Sequence, residues 1–397
     1  MTFKGAQNSE ETHKSAATAK TDILPVKPEN RIKLDRSLSL LDLWEAKPDY
    51  QKSLGIYKQT DANRNAEDPL PLHNLGNTCY INSTVQSLFV ITFFVKDLVE
   101  KYEVVMNDKS RTEDCKFDMT RRLVRFYLKY KEMKGDKELK DDLLDGQLKK
   151  LKKSVAEKNP QFSSSMQQDA VEFMQQMLST IEDEFDKVKN IVPAKNNPIR
   201  KNFANEFESA MNCVNCDNRL NLPKVTTYAM YLCIPDSAKN STFSLQDAVN
   251  NYFKPEKAEH KCEKCGNKEK MRYMYVSKLS SVLFLQLGRY GEDGSKKHET
   301  VHVPSELHIP AIINKKEDSS DNQDVAKGVD YKLVASLSHN GSTLLGGHYI
   351  CYVFQSETQC WYLCDDDVIL KTSLEMAQEG IKNSGYCFFY VNKSITF

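Results

Sequence analysis

The sequence has no excess of charge of either sign: 55 Lys and Arg stand against 55 Asp and Glu in 397 residues. A dedicated nucleic-acid or acidic-membrane binder would carry a basic surplus, so neither nucleic acid nor membrane is expected among its partners. There is no long apolar run either. The most apolar one, Leu88–Val95, falls far short of the roughly 18 residues that a membrane-spanning helix needs. The N-terminus, Met1-Thr-Phe-Lys-Gly, lacks the apolar core of a secretory signal. No compositional extreme points to collagen, coiled coil or a low-complexity polymer. These absences together predict a soluble intracellular protein, in cytoplasm or nucleus. In that reducing setting its 11 cysteines read as metal-binding or catalytic rather than disulfide-bonded, and an odd number cannot pair fully within one chain.

Residues 1–68 are mostly polar and read as a flexible N-terminal extension. Within them Leu38, Leu41 and Trp44 recur at helical spacing, as a short helix packed on the main body or as a docking motif would. From about 70 to 200 the pattern is helical. Cys79 to about Glu100 is largely apolar, 119–157 is Lys-rich with spaced apolar residues, and Phe173, Met177, Ile181 and Phe185 fall at every fourth position. The run Lys149-Lys150-Leu-Lys152-Lys153 reads as a solvated helix face. Past 200 the period changes to two, with strands at 227–234, 271–276, 281–287, 332–337, 348–354 and 386–391. Helices first and antiparallel-looking strands afterwards make an α+β architecture.

Three segments carry chemistry. In Asn74-Leu-Gly76-Asn77-Thr78-Cys79 a turn leads straight into a helical pattern, placing Cys79 near a helix N-terminus. There the helix dipole and unused backbone N–H groups favour a thiolate and can face a developing oxyanion. Asn74 can fold back to donate to the same oxyanion. Taken alone, such a cysteine is more often a small buried hydrophobe than a nucleophile. Gly346-Gly347-His348-Tyr349 opens a strand after a glycine-rich loop. The two glycines allow close approach of an extended peptide, and a held imidazole can take and return a thiol proton. The strand at 361–364 runs into Asp365-Asp366-Asp367, one of which can accept the other ring N–H and fix the tautomer.

Two further pairs, Cys213-Val-Asn-Cys216 and Cys262-Glu-Lys-Cys265, are C-x-x-C knuckles. Two such turns can form the tetrahedral sulfur cage that zinc prefers, although their separation exceeds the usual zinc-ribbon spacing. A redox reading would need a thioredoxin-like βαβ setting, which is missing.

With these segments in hand, the chain resembles the ubiquitin-specific protease family of cysteine deubiquitinases. The resemblance rests on NLGNTCYINSTVQSLF at 74–89, QQDAVEF at 167–173, LFLQLGRY at 283–290, GGHYICYV at 346–353, WYLCDDDV at 361–368 and GYCFFY at 385–390. It spans about 70–392 in the family's order. Departures are small: Cys364 precedes the first aspartate, Gly288 stands where lysine is usual, and Tyr290 where phenylalanine is usual.

The resemblance implies an α+β, papain-like right-hand fold in a catalytic domain at 69–397. A helical thumb would span about 70–200, zinc-ribbon-like β fingers about 201–278, and a β palm about 279–397. It makes Cys79 the nucleophile, His348 the general base and acid, and Asp365 its orienter with Asp366 as competitor; Asn74 supplies the oxyanion hole. Gln167, Asp169, Gly346, Gly347 and Tyr349 would line the channel for the arginine-bearing C-terminal tail of ubiquitin. Asp169 would also suit the N-cap of the helix after it. Cys213, Cys216, Cys262 and Cys265 would hold one structural zinc ion, and no catalytic cofactor is implied. Partners would be ubiquitin and ubiquitinated proteins, with a regulatory protein as a further one. Three rivals accompany this reading: a non-catalytic ubiquitin-binding scaffold, a protease for another ubiquitin-like modifier, and a zinc-dependent interaction module in which Cys79 is merely buried. The loops 288–297 and 341–347 are polar enough to gate the channel.

Overall fold

The computed structural model describes residues 57–58, 65–110, 116–134, 141–240, 242–291, 295–310, 328–343 and 346–395. The motif of Leu38, Leu41 and Trp44, and nearly all of the extension, lie outside the described residues. After a two-residue strand β1 (Tyr57–Lys58) come six helices: α1 (Cys79–Phe89), α2 (Thr92–Asn107), α3 (Asp118–Lys134), α4 (Asp141–Ala156), α5 (Ala170–Asp186) and α6 (Pro198–Phe203). The long apolar segment after Cys79 is therefore two helices, broken at Val90-Ile91. Every residue of α1 is buried, as befits a helix enclosed on all sides. Glu184 of α5 accepts from the backbone N–H groups of Met119 and Thr120 at 2.9 Å, satisfying the orphan donors at the start of α3 and tying the two helices together.

The remaining elements are mainly strands. In chain order they are β2 (Asn205–Cys213), β3 (Arg219–Thr227), β4 (Ala229–Cys233), β5 (Phe243–Ser244), α7 (Leu245–Tyr252), β6 (Glu256–Glu259), β7 (Glu269–Lys278) and β8 (Val282–Gly288). Then follow β9 (Val301–His302), β10 (Glu306–Ile309), β11 (Val329–Thr343), β12 (Gly346–Gln355), β13 (Cys360–Asp365), β14 (Val368–Thr372), α8 (Leu374–Ile381) and β15 (Gly385–Asn392). A large sheet runs β1-β14-β13-β12-β11-β15-β8-β4, with β10 also on β11; a separate four-stranded sheet runs β3-β2-β7-β6. The sequence suggested antiparallel pairing throughout, but β4 lies parallel to β8 and β5 parallel to β9. Side-chain period reports which faces a strand buries and carries no information on its direction.

The large sheet sits between two apolar layers. On β12, Tyr349, Cys351 and Val353 point into the cluster shared with α1, α3 and α5; Ile350, Tyr352 and Phe354 point into the opposite one with α7 and α8. The alternation along β8 is the same, with Val282 and Phe284 on one side and Leu283, Leu285 and Leu287 on the other. Residues at the ends of β12 and β13 are thus held on a sheet packed on both faces, beside the N-terminus of α1.

Candidate active site

Cys79 is the first residue of α1, after Thr78 as its N-cap, and is 2% exposed. The loop before it is bound by its own side chains. Asn74 Oδ1 accepts from the N–H groups of Gly76 and Thr78 at 3.2 and 3.1 Å, and Leu75 N–H donates to Thr78 Oγ1 at 2.8 Å. Gly76 and Asn77 take φ of 95° and 53°, a left-handed turn suited to glycine and asparagine. Asn74 thus takes the Thr78 N–H, while Cys79 enters the helix with its N–H unclaimed by any preceding turn of helix.

His348 is the third residue of β12 and Asp365 the last of β13. His348 Nε2 lies 2.6 Å from Asp365 Oδ1, and the Cys79 thiol is the second group that raises the pKa of the ring. Because the carboxylate takes Nε2–H, Nδ1 is the nitrogen left for the thiol. Asp365 first, and then Cys79, push the imidazole up to about 10, against burial, which pulls it down. Asp366 occupies the tight turn into β14 at a φ of 51° and stands 3.9 Å from His348 Nε2. Its oxygens accept instead from Asn74 Nδ2 at 2.9 Å and Asn82 Nδ2 at 2.8 Å, and burial raises its pKa. The amide of Asn74 has a second N–H that this bond leaves over.

Of the residues expected along a channel, Gly346 and Gly347 are exposed, while Gln167 and Asp169 are buried. Tyr349 corrects the expectation that it faces substrate: it is wholly buried, against the His339 ring at 4.4 Å, because it points to the helical side of β12. Asp169 caps α5, accepting from Val171 and Glu172 N–H at 2.6 and 3.1 Å, and its other oxygen accepts from Tyr386 Oη at 2.5 Å. Its carboxylate is engaged inside the protein on both oxygens. Gly347 has a second reason to be glycine, since a Cβ there would stand 2.6 Å from Asn340 O and 2.8 Å from His339 Nε2.

The sequence reading missed His339. It is fully buried; Gln167 Nε2 lies 3.0 Å from its Nε2, and Tyr290 Oη meets its Nδ1. Burial, then Lys296 and His348, lower its pKa to about 4, so the ring is neutral. A neutral ring accepts from Gln167 at Nε2 and donates from Nδ1 to Tyr290. Asn82 was missed as well. A signal for it exists: an asparagine three residues into a helix buried on every side needs a partner. For His339 the sequence offers only a lone histidine at a strand.

The four knuckle cysteines meet at the tip of the four-stranded sheet. Sγ of Cys213 and Cys265, and of Cys216 and Cys262, are 3.6 Å apart, and all four atoms lie within 4.8 Å of one another. A zinc–sulfur bond of about 2.3 Å in a tetrahedron implies edges of roughly 3.8 Å, so the donor set fits that ion. Both knuckles close alike, with Asp217 N–H on Cys213 O and Gly266 N–H on Cys262 O, and both closing residues have positive φ. Backbone N–H groups, chiefly that of Cys265, lower the Cys262 thiol to about 6. This four-cysteine group could therefore bind zinc.

A family model described as ubiquitin carboxyl-terminal hydrolase matches residues 71–390. Ubiquitin carboxyl-terminal hydrolase 29 of Mus musculus is 30% identical over 231 residues, covering 55% of this chain and 25% of the relative. Ubiquitin carboxyl-terminal hydrolase 25 of Arabidopsis thaliana is 25% identical over 342 residues, covering 81% of this chain and 47% of the relative. The chain thus spans a quarter to about half the length of these relatives. A solved structure of the SAGA Ubp8/Sgf11/Sus1/Sgf73 DUB module bound to ubiquitin aldehyde has the same fold. Its TM-score is 0.66 at 22% identity, over 85% of this chain and 72% of that one.

Proposed function

Because the chain belongs to the ubiquitin carboxyl-terminal hydrolase family, we propose that it is a thiol-dependent deubiquitinase cleaving the bond after the C-terminal glycine of ubiquitin. The observation that carries this reading is the His348–Asp365 contact of 2.6 Å, with Cys79 at the start of α1 helping to raise the imidazole's pKa. Cys79 is the nucleophile, and His348 takes its proton at Nδ1 while Asp365 fixes the ring through Nε2–H. Thiolate attack on the glycine carbonyl puts negative charge on oxygen, which the free N–H of Asn74 and backbone N–H groups at the start of α1 receive. His348 then gives its proton to the departing lysine amine, leaving a thioester on Cys79. Water activated by the same imidazole releases ubiquitin.

The exposed Gly346–Gly347 edge admits the substrate tail, with Gln167 and Asp169 as supports below it rather than as its main contacts. Cys213, Cys216, Cys262 and Cys265 would hold one zinc ion, which supplies cross-linking of the two knuckles and no chemistry at Cys79. Helices at about 70–200 form the thumb, residues of about 201–278 the fingers, and those after 279 the palm of a domain at 69–397. No helix among the described residues is long and apolar enough to cross a membrane, and action in cytoplasm or nucleus is proposed with the activity. The Ubp8 neighbour was solved with Sgf11, Sus1 and Sgf73, and a regulatory partner for this chain belongs to the same proposal.

A ubiquitin probe with an electrophilic C-terminus tests this reading. Covalent labelling abolished by Cys79→Ala is expected. Labelling only by the probe of another ubiquitin-like modifier would move the substrate assignment, and binding of ubiquitin without labelling would leave a scaffold.

A further inference from the structure

Behind the nucleophile loop lies a cavity of about 350 Å³, in the range of small-molecule sites. Its apolar floor is Leu75, Leu148, Ala156 and Phe162. Three lysines, Lys149, Lys152 and Lys153, line it as well, the first and last of them exposed, and no acidic residue is among those lining it. Positions 148, 152 and 156, and 149 and 153, follow the four-residue spacing of one face of α4. Lys149, Lys150 and Lys153 are exposed, as the solvated face read from the sequence requires, and Lys152 is the exception. Lys152 is half-buried, bonded through Nζ to Ser164 O at 2.9 Å, and its pKa is lowered by that burial. A carbonyl takes one of its three donors and neutralises none of its charge.

We propose that this cavity binds a compact apolar monoanion, such as a medium-chain carboxylate, and that occupancy is transmitted to Cys79. An apolar body replaces water against the floor, and the anionic head supplies the negative charge that the walls lack. A volume of about 350 Å³ suits a small molecule better than a peptide strand. The route to Cys79 is short. Leu75 and Thr78 both line the cavity, and Thr78 is the cap directly before Cys79. Asn77 Nδ2 donates to Ser165 O at 2.8 Å, one residue beyond the carbonyl that Lys152 holds. An anion drawing Lys152 off Ser164 loosens one of two straps between α4, the 163–166 segment and the nucleophile loop. That segment runs on into Gln167.

Calorimetric titration of the full chain with sodium octanoate, with 1-octanol as the uncharged comparison, tests the site. Saturable one-site binding of octanoate is expected, at least about tenfold tighter than octanol. Ala156→Trp fills the cavity, and Lys149→Ala with Lys153→Ala removes two of its charges without touching the Lys152–Ser164 bond. Each change is expected to weaken binding about tenfold or more. Absence of saturable binding, octanol binding as tightly, or undiminished binding by Ala156→Trp would overturn the site. The rate of Cys79 alkylation by iodoacetamide reads the coupling, independently of any ubiquitin substrate. A rate changed more than about twofold at saturating octanoate, and unchanged by it in Ala156→Trp, is expected. An unaltered rate with octanoate bound would overturn the transmission to Cys79.

Discussion

Asp366 accepts a hydrogen bond from Asn74 Nδ2 at 2.9 Å, joining the turn after β13 to the loop that precedes the nucleophile, 292 positions away in sequence. Its other oxygen takes Asn82 Nδ2, and its carbonyl takes Leu72 N–H at 2.9 Å. Adjacent carboxylates are thereby divided between two tasks. Asp365, in the strand, faces the imidazole; Asp366, in the turn, faces two carboxamides. The positive φ at Asp366 reverses the chain between them.

This division predicts different defects from the two isosteric substitutions. Asp365→Asn removes the main cause of the raised His348 pKa, so kcat should fall about a hundredfold or more. The alkaline limb of Cys79 alkylation should move to lower pH. Asp366→Asn leaves His348 its partner but cannot accept from Asn74 and Asn82 equally well. A lost bond to a charged acceptor is about 1.5–3 kcal/mol, or roughly ten- to a hundredfold in kcat/KM, with the alkylation limb nearly in place. A limb that moves with Asp366→Asn and stays with Asp365→Asn would exchange the two roles.

The two histidines oppose each other in stability against pH. His348 is raised from 6.5 to about 10 on folding, so its contribution is complete below about 6.5 and fades as pH rises toward 10. His339 is lowered from 6.5 to about 4, so the unfolded chain takes up the proton first and stability falls as pH drops from 6.5 toward 4. Melting temperatures of His339→Gln should be flatter than wild type between pH 4 and 6.5 and parallel to it above 7. An unchanged acid-side slope would mean that another group controls it.

The parts of the site legible in the sequence are those set by local backbone. Gly76-Asn77 announces a left-handed turn before Cys79, Gly346-Gly347 a close approach before His348, and Asp169 a cap. The family motifs add their relation to one another. What is illegible depends on neighbours distant in sequence. Nothing local tells Asp365 from Asp366, since the turn geometry decides. Tyr349 could have been assigned inward, because it alternates in phase with Cys351 and Val353. Gly288 looks like a loss of lysine until Tyr231 is found across the parallel β4–β8 pair, where a Cβ would stand 2.5 Å from its hydroxyl.

Metal removal should separate the fingers from the triad. Metal analysis of the purified chain should find one zinc per chain, lost on Cys262→Ser and kept on substitution of the exposed Cys233. A chelator should lower the melting temperature and raise KM for ubiquitin substrates, because the four-cysteine cluster cross-links only strands β2, β3, β6 and β7 at their tip. Iodoacetamide alkylation of Cys79 should scarcely change. A chain that purifies metal-free and melts identically with chelator would remove zinc from the proposal.

Arg289 makes the most demanding structural prediction. It is 1% exposed and forks onto four carbonyls: Gly385 at 2.6 Å through Nε, Lys297 and Glu299 at 3.2 and 2.9 Å through Nη1, and Lys382 at 2.9 Å through Nη2. Burial lowers the guanidinium to about 10, yet it remains charged at neutral pH. It pins the segment that carries Tyr290 and Lys296, whose side chains hold His339 at Nδ1 and at its carbonyl. Arg289→Lys keeps the charge but cannot reproduce a planar fork, so at least one buried carbonyl loses its donor, at about 1–3 kcal/mol each. With His339 less firmly held, Gln167 and Gly347 lose their common support, and kcat/KM for ubiquitin substrates should fall about tenfold. Of these groups only Gly347 adjoins the triad, through its peptide bond to His348, so iodoacetamide alkylation of Cys79 should change far less than kcat/KM. Alkylation slowing in proportion to kcat/KM would place Arg289 in support of the His348–Asp365 pair instead of the substrate edge.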